Sequence, residues 1–332
     1  MLIVDAHLDL SYNVTRGRDV TQPAATQPVV DNEIATVGLP DLRAGGVGLI
    51  CATIFCSPRK YVTAEQARAV ALVQLDWYRR QVDEGRLEFV RGTGFQPVQT
   101  RLTDQKNPLP IILLMEGADA LRSVDDVAEW FEAGLRIVGL AWQRTRAAGG
   151  TDNPGPLTAE GRALVKAFDQ AGIIHDASHL ADESFWQLMD LASGPVMASH
   201  SNCRAIVPTD RQLSDEMIKA IAARSGVIGI NFYDQFLLPP NEYKKRKCAL
   251  SDLIAHIRHM SDLLGTTKHI GLGTDMDGGV GRDDIPHELT TAADLPRVAD
   301  ALSSAAFGDD DVAGILSGNW LRFFGRALPP GG

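Results

Sequence analysis

Met1-Leu-Ile-Val-Asp5-Ala-His7-Leu-Asp9 opens the chain. It reads as a short buried strand that runs straight into a histidine and an aspartate. A doubly wound open sheet places a glycine-rich phosphate turn after its first strand. No glycine follows here, and the next residues are metal-binding types. The same grammar recurs downstream. Apolar runs at Leu2–Asp5, Gly48–Phe55, Ile111–Met115, Leu135–Ala141, Ile173–Ala177, Pro195–Ala198, Val227–Phe232 and His269–Gly273 alternate with amphipathic stretches. Four-to-eight-residue runs dense in Ile, Val and Leu suit strands buried on both faces. Eight strands, each followed by helical sequence, predict a (β/α)8 TIM barrel. One domain over 1–332 is expected.

The helical stretches carry end signals. Thr63–Glu84 places Ala67, Val70, Ala71, Val73, Leu75 and Trp77 along an apolar face. Thr158 caps a stretch through Gln170 that Gly172 ends. Ser214–Arg224 opens with a serine but has Met217 where a capping box needs Glu, so its cap is weak. Ser251–Leu264 and Asp309–Phe324 read as further helices. Long loops at 11–38, 143–157 and 234–248 all follow strands, which puts them on the face where barrel sites are built. The segment Gly92-Thr-Gly-Phe-Gln-Pro-Val98 fits no element; it reads as a link from a small edge element to the third strand.

Composition narrows the function classes. The 332 residues carry a formal charge of −10, the wrong sign for a protein that tracks nucleic-acid backbones. Lys244-Lys-Arg-Lys247 therefore reads as a solvated loop. The apolar runs are too short for a bilayer span, so no membrane partner is expected. The N-terminus lacks a basic region followed by an apolar core. Cys51, Cys56, Cys203 and Cys248 form no Cys-x-x-Cys pair, and Cys203 has no base-and-orienter set around it; they read as reduced thiols of a cytoplasmic protein.

Chemistry gathers where the strands end. The first offers His7 and Asp9, the third Glu116, the fifth His179, the sixth His200 and the eighth Asp275. His7 and Asp9 are two apart, so on an extended strand both point the same way and can share one ion. Imidazole plus carboxylate suits zinc or manganese. His179 and His200 come from adjacent strands and could hold a second ion, with Glu116 bridging through its two oxygens. A bridged pair about 3.5–4 Å apart can generate hydroxide and polarise a carbonyl together. Asp275, first off its strand, is favoured over Asp277 as the carboxylate that takes a proton from water and passes it to the leaving amine.

Six motifs in register resemble the membrane dipeptidase (renal dipeptidase) family: Asp5-Ala-His7-Leu-Asp9, Met115-Glu116-Gly117, His175-Asp-Ala-Ser-His179, Ala198-Ser-His200-Ser-Asn202, Asn231-Phe-Tyr233 and Gly273-Thr-Asp275-Met-Asp277-Gly278. The resemblance runs from residue 1 to about Phe324. It implies a single catalytic domain, a TIM barrel of the metal-dependent hydrolase type, with two zinc ions, one on His7, Asp9 and Glu116, the other on Glu116, His179 and His200. It also implies that Asp275 moves the proton and that Arg211 grips the dipeptide's carboxylate. Two departures stand out. A family histidine near the scissile carbonyl aligns with Trp142, which can neither accept a proton nor carry charge. Gln212 replaces an asparagine after Arg211.

The expected activity is zinc-dependent hydrolysis of dipeptides by a metal-bridging hydroxide. The alternative keeps the ions and changes the bond to another amide or an ester, such as an N-acyl amino acid or a lactone. A binding protein without catalysis fits less well, because binding needs no proton shuttle. Tyr233 is a candidate pocket residue, and Arg144 and Arg146 are rivals to Arg211. Of the other histidines, His175 reads as structural, His256 and His259 as solvated, and His269 as lying on the wrong rim, while His287 stays open. The rim helices could support a homodimer.

Overall fold

The computed structural model describes residues 1–92, 107–143 and 145–330. Residues 93–98 of the uninterpreted segment, and Arg144, lie outside them. Eight parallel strands surround one axis: β1 (Ile3–Leu8), β2 (Val47–Phe55), β4 (Leu109–Glu116), β5 (Leu135–Gly139), β6 (Ile174–Asp176), β7 (Val196–Met197), β8 (Ile228–Ile230) and β9 (Ile270–Leu272). Their order is β7-β6-β5-β4-β2-β1-β9-β8. A parallel bridge between Ala198 and Ile228 joins the two ends of that path, so the sheet curls into a nearly closed barrel. Every barrel-strand residue is buried, as continuous apolar runs require.

The small edge element before residue 92 is a strand, β3 (Leu87–Phe89), which pairs with the first half of β4; its bounds carried no sequence signal. Three residues are too few to show a period. The stretch Asp309–Phe324 is not one continuous α-helix. A π-helical turn at Gly314–Gly318 separates Asp309–Ala313 from Asn319–Ala327. Glycines at both ends of that turn weaken the ordinary helical ladder.

Period-two alternation builds two cores. Val4 and Ala6 of β1, Leu49 and Cys51 of β2, Ile112 and Leu114 of β4, Ile137, Ile174 and Met197 form an inner cluster. Trp320, Phe323, Phe324 and Leu328 near the C-terminus join that same cluster and plug the barrel from below. Trp320 donates its indole N–H to the Leu272 carbonyl at 2.9 Å. The intervening strand residues face the helices in the larger outer cluster.

The capped helices form as expected. The helix Ala64–Asp83 starts in a full capping box between Thr63 and Gln66. Its buried face includes Ala67, Ala71, Leu75 and Trp77, but also Gln74 and Gln81, whereas Val73 is exposed. Gln74 is buried because it donates to the Phe55 carbonyl and accepts from the Ser11 hydroxyl and the Phe55 amide. Thr158 caps Ala159–Ala171, and Gly172 ends it in the left-handed conformation at φ 75°. Ser214 caps Asp215–Ala223 through one bond from the Met217 amide, without a reciprocal partner. Among the described residues, no helix is long and apolar enough to cross a membrane.

Candidate metal centre

The strands deliver His7, Asp9, Glu116, His179, His200 and Asp275 to one mouth of the barrel. His7 lies within β1, where the register against β2 shifts between Asp5 and Leu8, and Asp9 follows directly. Glu116 is the last residue of β4. His179 and Asp275 follow β6 and β9, each in the left-handed region, at φ 68° and 58°. Non-glycine residues rarely sit there, and those that do concentrate at functional sites.

Two donor sets share Glu116. His7 Nε2 lies 3.8 Å from Asp9 Oδ2, 3.8 Å from Glu116 Oε2 and 3.9 Å from Asp275 Oδ1. The other oxygen, Glu116 Oε1, lies 3.1 Å from His179 Nε2 and 3.4 Å from His200 Nε2. The two Nε2 atoms are 3.0 Å apart. Three groupings have the compactness of a metal site: His7 with Asp9 and Asp275, Glu116 with His179 and His200, and, behind them, His7 with Asp176 and His200.

The surroundings fit a cation. His7 Nε2 is a buried polar atom with no hydrogen-bond partner. Such an atom is costly unless something electrophilic meets it. A Cβ on Gly278 would stand 1.9 Å from Asp275 Oδ1 and 2.8 Å from Asp9 Oδ2, so only glycine leaves room for both carboxylates. Burial, then the charges of Asp9 and Asp275, push Glu116 well above the usual carboxylate range. Burial, then Asp9, does the same to Asp275. Burial raises Asp9 to about 6, and burial together with Arg211 lowers His7 to about 3. Carboxylates whose charge burial and crowding oppose, beside histidines that burial keeps neutral, are groups a divalent cation would satisfy together.

Partners orient the donors. Thr53 donates its hydroxyl to Asp9 Oδ1. Asn231 donates to Asp275 Oδ2 at 2.9 Å. His179 Nδ1 lies 3.0 Å from the Thr151 hydroxyl. The rivalry between Asp275 and Asp277 resolves on geometry. Asp277 accepts from the Thr36 amide and hydroxyl and the Val37 amide, and pairs with Arg18 at 3.4 Å. It ties loop 11–38 to the end of β9, while Asp275 faces the histidines.

A cavity of about 310 Å³ opens onto this centre. Tyr12, Phe55, Trp142, Tyr233 and Phe236 line it, with Asp9, Glu116, His179 and Asp275 also exposed to it. Trp142 is 6.2 Å from the His179 ring, and Arg59 stacks over Trp142 at 5.4 Å. Phe55 and Arg59 carried no signal in the sequence, because the loop after β2 contains no histidine, aspartate or glutamate. Arg211 is buried beneath Phe236, its guanidinium 5.0 Å from that ring. It donates to the His200 carbonyl at 2.6 Å and the Ser201 hydroxyl at 3.2 Å, and its Nε has no partner.

The remaining candidates fall outside the centre. Arg146 pairs with Glu160 and donates to the Leu121 carbonyl. Arg246 of the Lys244–Lys247 run pairs with Glu242 and Asp252. His175 bonds Asp169 at 2.7 Å, a structural contact. His256 is buried rather than solvated. It accepts from the Cys203 amide, faces the Leu237 carbonyl, and is lowered to about 4, chiefly by burial. Its helix turns that face inward against the 203 segment, which periodicity alone did not reveal. His259 bonds Asp215, half-exposed at the surface, while His269 and His287 bond the carbonyls of Gly226 and Cys248. The four cysteines are buried and unpaired.

Comparison with known proteins identifies the family. The model of the membrane dipeptidase family, peptidase family M19, matches residues 1–328. An uncharacterized protein from the pqqA 5' region of Klebsiella pneumoniae is 30% identical over 224 residues, covering 64% of this chain and 80% of that protein. The dipeptidase aclJ of Aspergillus oryzae is 24% identical over 305 residues, covering 89% and 71%. Among solved structures, an M19 metallopeptidase, dipeptidase AC, superposes with a TM-score of 0.86 at 25% identity over 99% of both chains. A metallopeptidase from Rhodobacter sphaeroides, bound to a phosphinate mimic of L-Ala-D-Ala, does so with a TM-score of 0.83 at 25% identity, covering 98% of this chain and 99% of its own.

Proposed function

The chain belongs to the membrane dipeptidase family of metallopeptidases, and on that premise we propose that two zinc ions sit at the barrel mouth, one on His7, Asp9 and Glu116, the other on Glu116, His179 and His200. The enzyme is a metal-dependent hydrolase that acts on dipeptides. The observation that carries the two-ion reading is the division of Glu116, whose Oε2 faces His7 while Oε1 faces His179 and His200. When bound, the ions supply Lewis acidity at the scissile carbonyl and lower the pKa of water toward neutrality.

The protein's own groups do the rest. Asn231 holds Asp275 Oδ2, which leaves Oδ1 aimed into the centre to take a proton and return it to the leaving amine. Arg211 lies close enough to Glu116 and Asp275 for its charge to oppose the effect of burial on both. Its unpartnered Nε makes it the cation for the substrate's terminal carboxylate. Tyr12, Phe55, Trp142 and Tyr233 wall the cavity, exclude water and pack the side chains of a short substrate. Trp142 takes part as a wall and carries no charge in the reaction. The Rhodobacter neighbour's ligand extends the expected substrates to dipeptides with a D-residue at the C-terminus.

Metal analysis of the purified protein, coupled to a substrate panel, tests this. The expected result is two zinc ions per chain and turnover of L,L- or L,D-dipeptides in preference to N-acyl amino acids and lactones. One ion per chain, or a preference for the acyl and lactone substrates, would reject it.

A further inference from the structure

Behind the two donor sets lies a single hydroxyl. Ser199 Oγ is 2.5 Å from Asp176 Oδ2, 2.7 Å from His200 Nδ1 and 3.1 Å from His7 Nδ1. Ser178 Oγ lies farther off, at 3.4 Å. All of these side chains are buried. A hydroxyl has one proton to give and two lone pairs to receive with. The carboxylate, the nearest group and the strongest acceptor, takes the proton. The lone pairs then receive an N–H from each imidazole. That arrangement forces both histidines into the Nδ1–H tautomer and leaves both Nε2 lone pairs free. Those are the atoms that face the two donor sets, and His7 Nε2 is the buried atom that no protein group meets.

The anchor itself is immobile. Asp176 Oδ1 accepts from the Ser178 amide at 3.0 Å and the Ser199 amide at 2.8 Å, so the carboxylate is fixed on the backbone of two adjacent strands' ends. The Ser199 carbonyl is wedged between two glycines. A Cβ on Gly229 would meet that oxygen at 1.9 Å, and one on Gly273 at 1.8 Å. The rings it holds lie close and tilted, with centroids 3.6 Å apart and planes 31° apart.

We propose that Ser199, oriented by its hydrogen bond to Asp176, is a shared positioning residue that fixes the tautomer and orientation of His7 and His200 and so couples the two metal sites. This rests on the two-ion reading above. Groups that orient a metal-binding histidine typically change metal affinity about 10–100-fold when removed. Here one hydroxyl serves a ligand of each ion, so its removal weakens both together.

Two measurements test this. The first is imidazole 1H–15N correlation spectroscopy on metal-free protein, with signals assigned through His7→Gln and His200→Gln. The wild type should show both rings as Nδ1–H. Asp176→Asn places an amide donor against the hydroxyl, turns its proton toward an imidazole, and should move at least one ring to Nε2–H. The second is zinc titration against a competing chelator. The wild type should bind two ions, and Ser199→Ala should weaken both sites about 10–100-fold with unchanged circular dichroism. A wild type with either ring as Nε2–H overturns the proposal without any variant having to fold. So does a Ser199→Ala protein that binds two ions within twofold of the wild type; either result leaves the two-ion reading standing. A wild type that takes up fewer than two ions overturns that reading itself, and the coupling with it.

Discussion

At the scale of single residues, Asp275 and Gly278 make the sharpest predictions. Asp275→Asn keeps the shape and the Asn231 contact but cannot carry the proton. Dipeptide turnover should fall by about 10²–10⁴-fold while metal content is kept. Metal analysis beside a steady-state assay checks this, and near-normal turnover would place proton transfer on another group. Gly278→Ala tests the space instead of the chemistry. Its methyl would overlap Asp275 Oδ1 and crowd Asp9 Oδ2, so zinc affinity and turnover should both drop while the fold is retained. The ligand types were legible in the sequence because His, Asp and Glu announce themselves at the ends of apolar runs. Ser199 and Asp176 sat inside quoted motifs and went unread. A serine beside a histidine becomes informative only when a second histidine, 192 positions away, shares its hydroxyl.

At the scale of elements, buried strands were legible because parallel barrel strands leave unbroken apolar runs, and capped helices because Thr63, Thr158 and Gly172 mark their ends. The π-helical turn and the bounds of β3 were not, since each depends on a few residues with no period. Nor did spacing predict how one helix start is fixed. Asp126 opens the helix Asp126–Glu132 and receives the Arg122 amide and guanidinium at 2.9, 2.9 and 2.7 Å, with Arg68 at 3.2 Å. The Arg122 hydrogen bond above all lowers its pKa from 3.8 to about 2. A carboxylate depressed by folding stabilises the folded state above its unfolded pKa, and that gain fades as pH falls from about 4 toward about 2. Asp126→Asn should therefore cost about 1–2 kcal/mol near neutral pH, and the gap between variant and wild type should close toward pH 2. Urea midpoints of both proteins across that range decide it; a gap independent of pH would mean that shape, not charge, holds the helix start.

At the scale of the whole molecule, the barrel's weakest seam and its metal centre bear on each other. β2 and β4 pair through six consecutive residues, Ile50 to Phe55. Between the ends of the path, the Ala198–Ile228 bridge holds through three backbone bonds: Ala198 to the Val227 carbonyl, Gly229 to Ala198, and Ser201 to Gly229. The proposed ligands come from the ends of β1, β4, β6 and β7, and Asn231 beyond β8 holds Asp275. Ions at the mouth would therefore tie β7 to the strands across the barrel and relieve crowding among Asp9, Glu116 and Asp275. Each ion that binds only the folded chain adds about 4 kcal/mol at about 1,000 times its dissociation constant. For a chain of this size that raises the melting temperature by roughly 5–10 °C. Chelation should reverse this, and the loosening should be uneven. Hydrogen exchange should speed up most in peptides spanning 196–201 and 227–231, and least in the β2–β4 pair. Uniform acceleration, or none at the seam, would show that the centre stabilises the barrel without holding its closure.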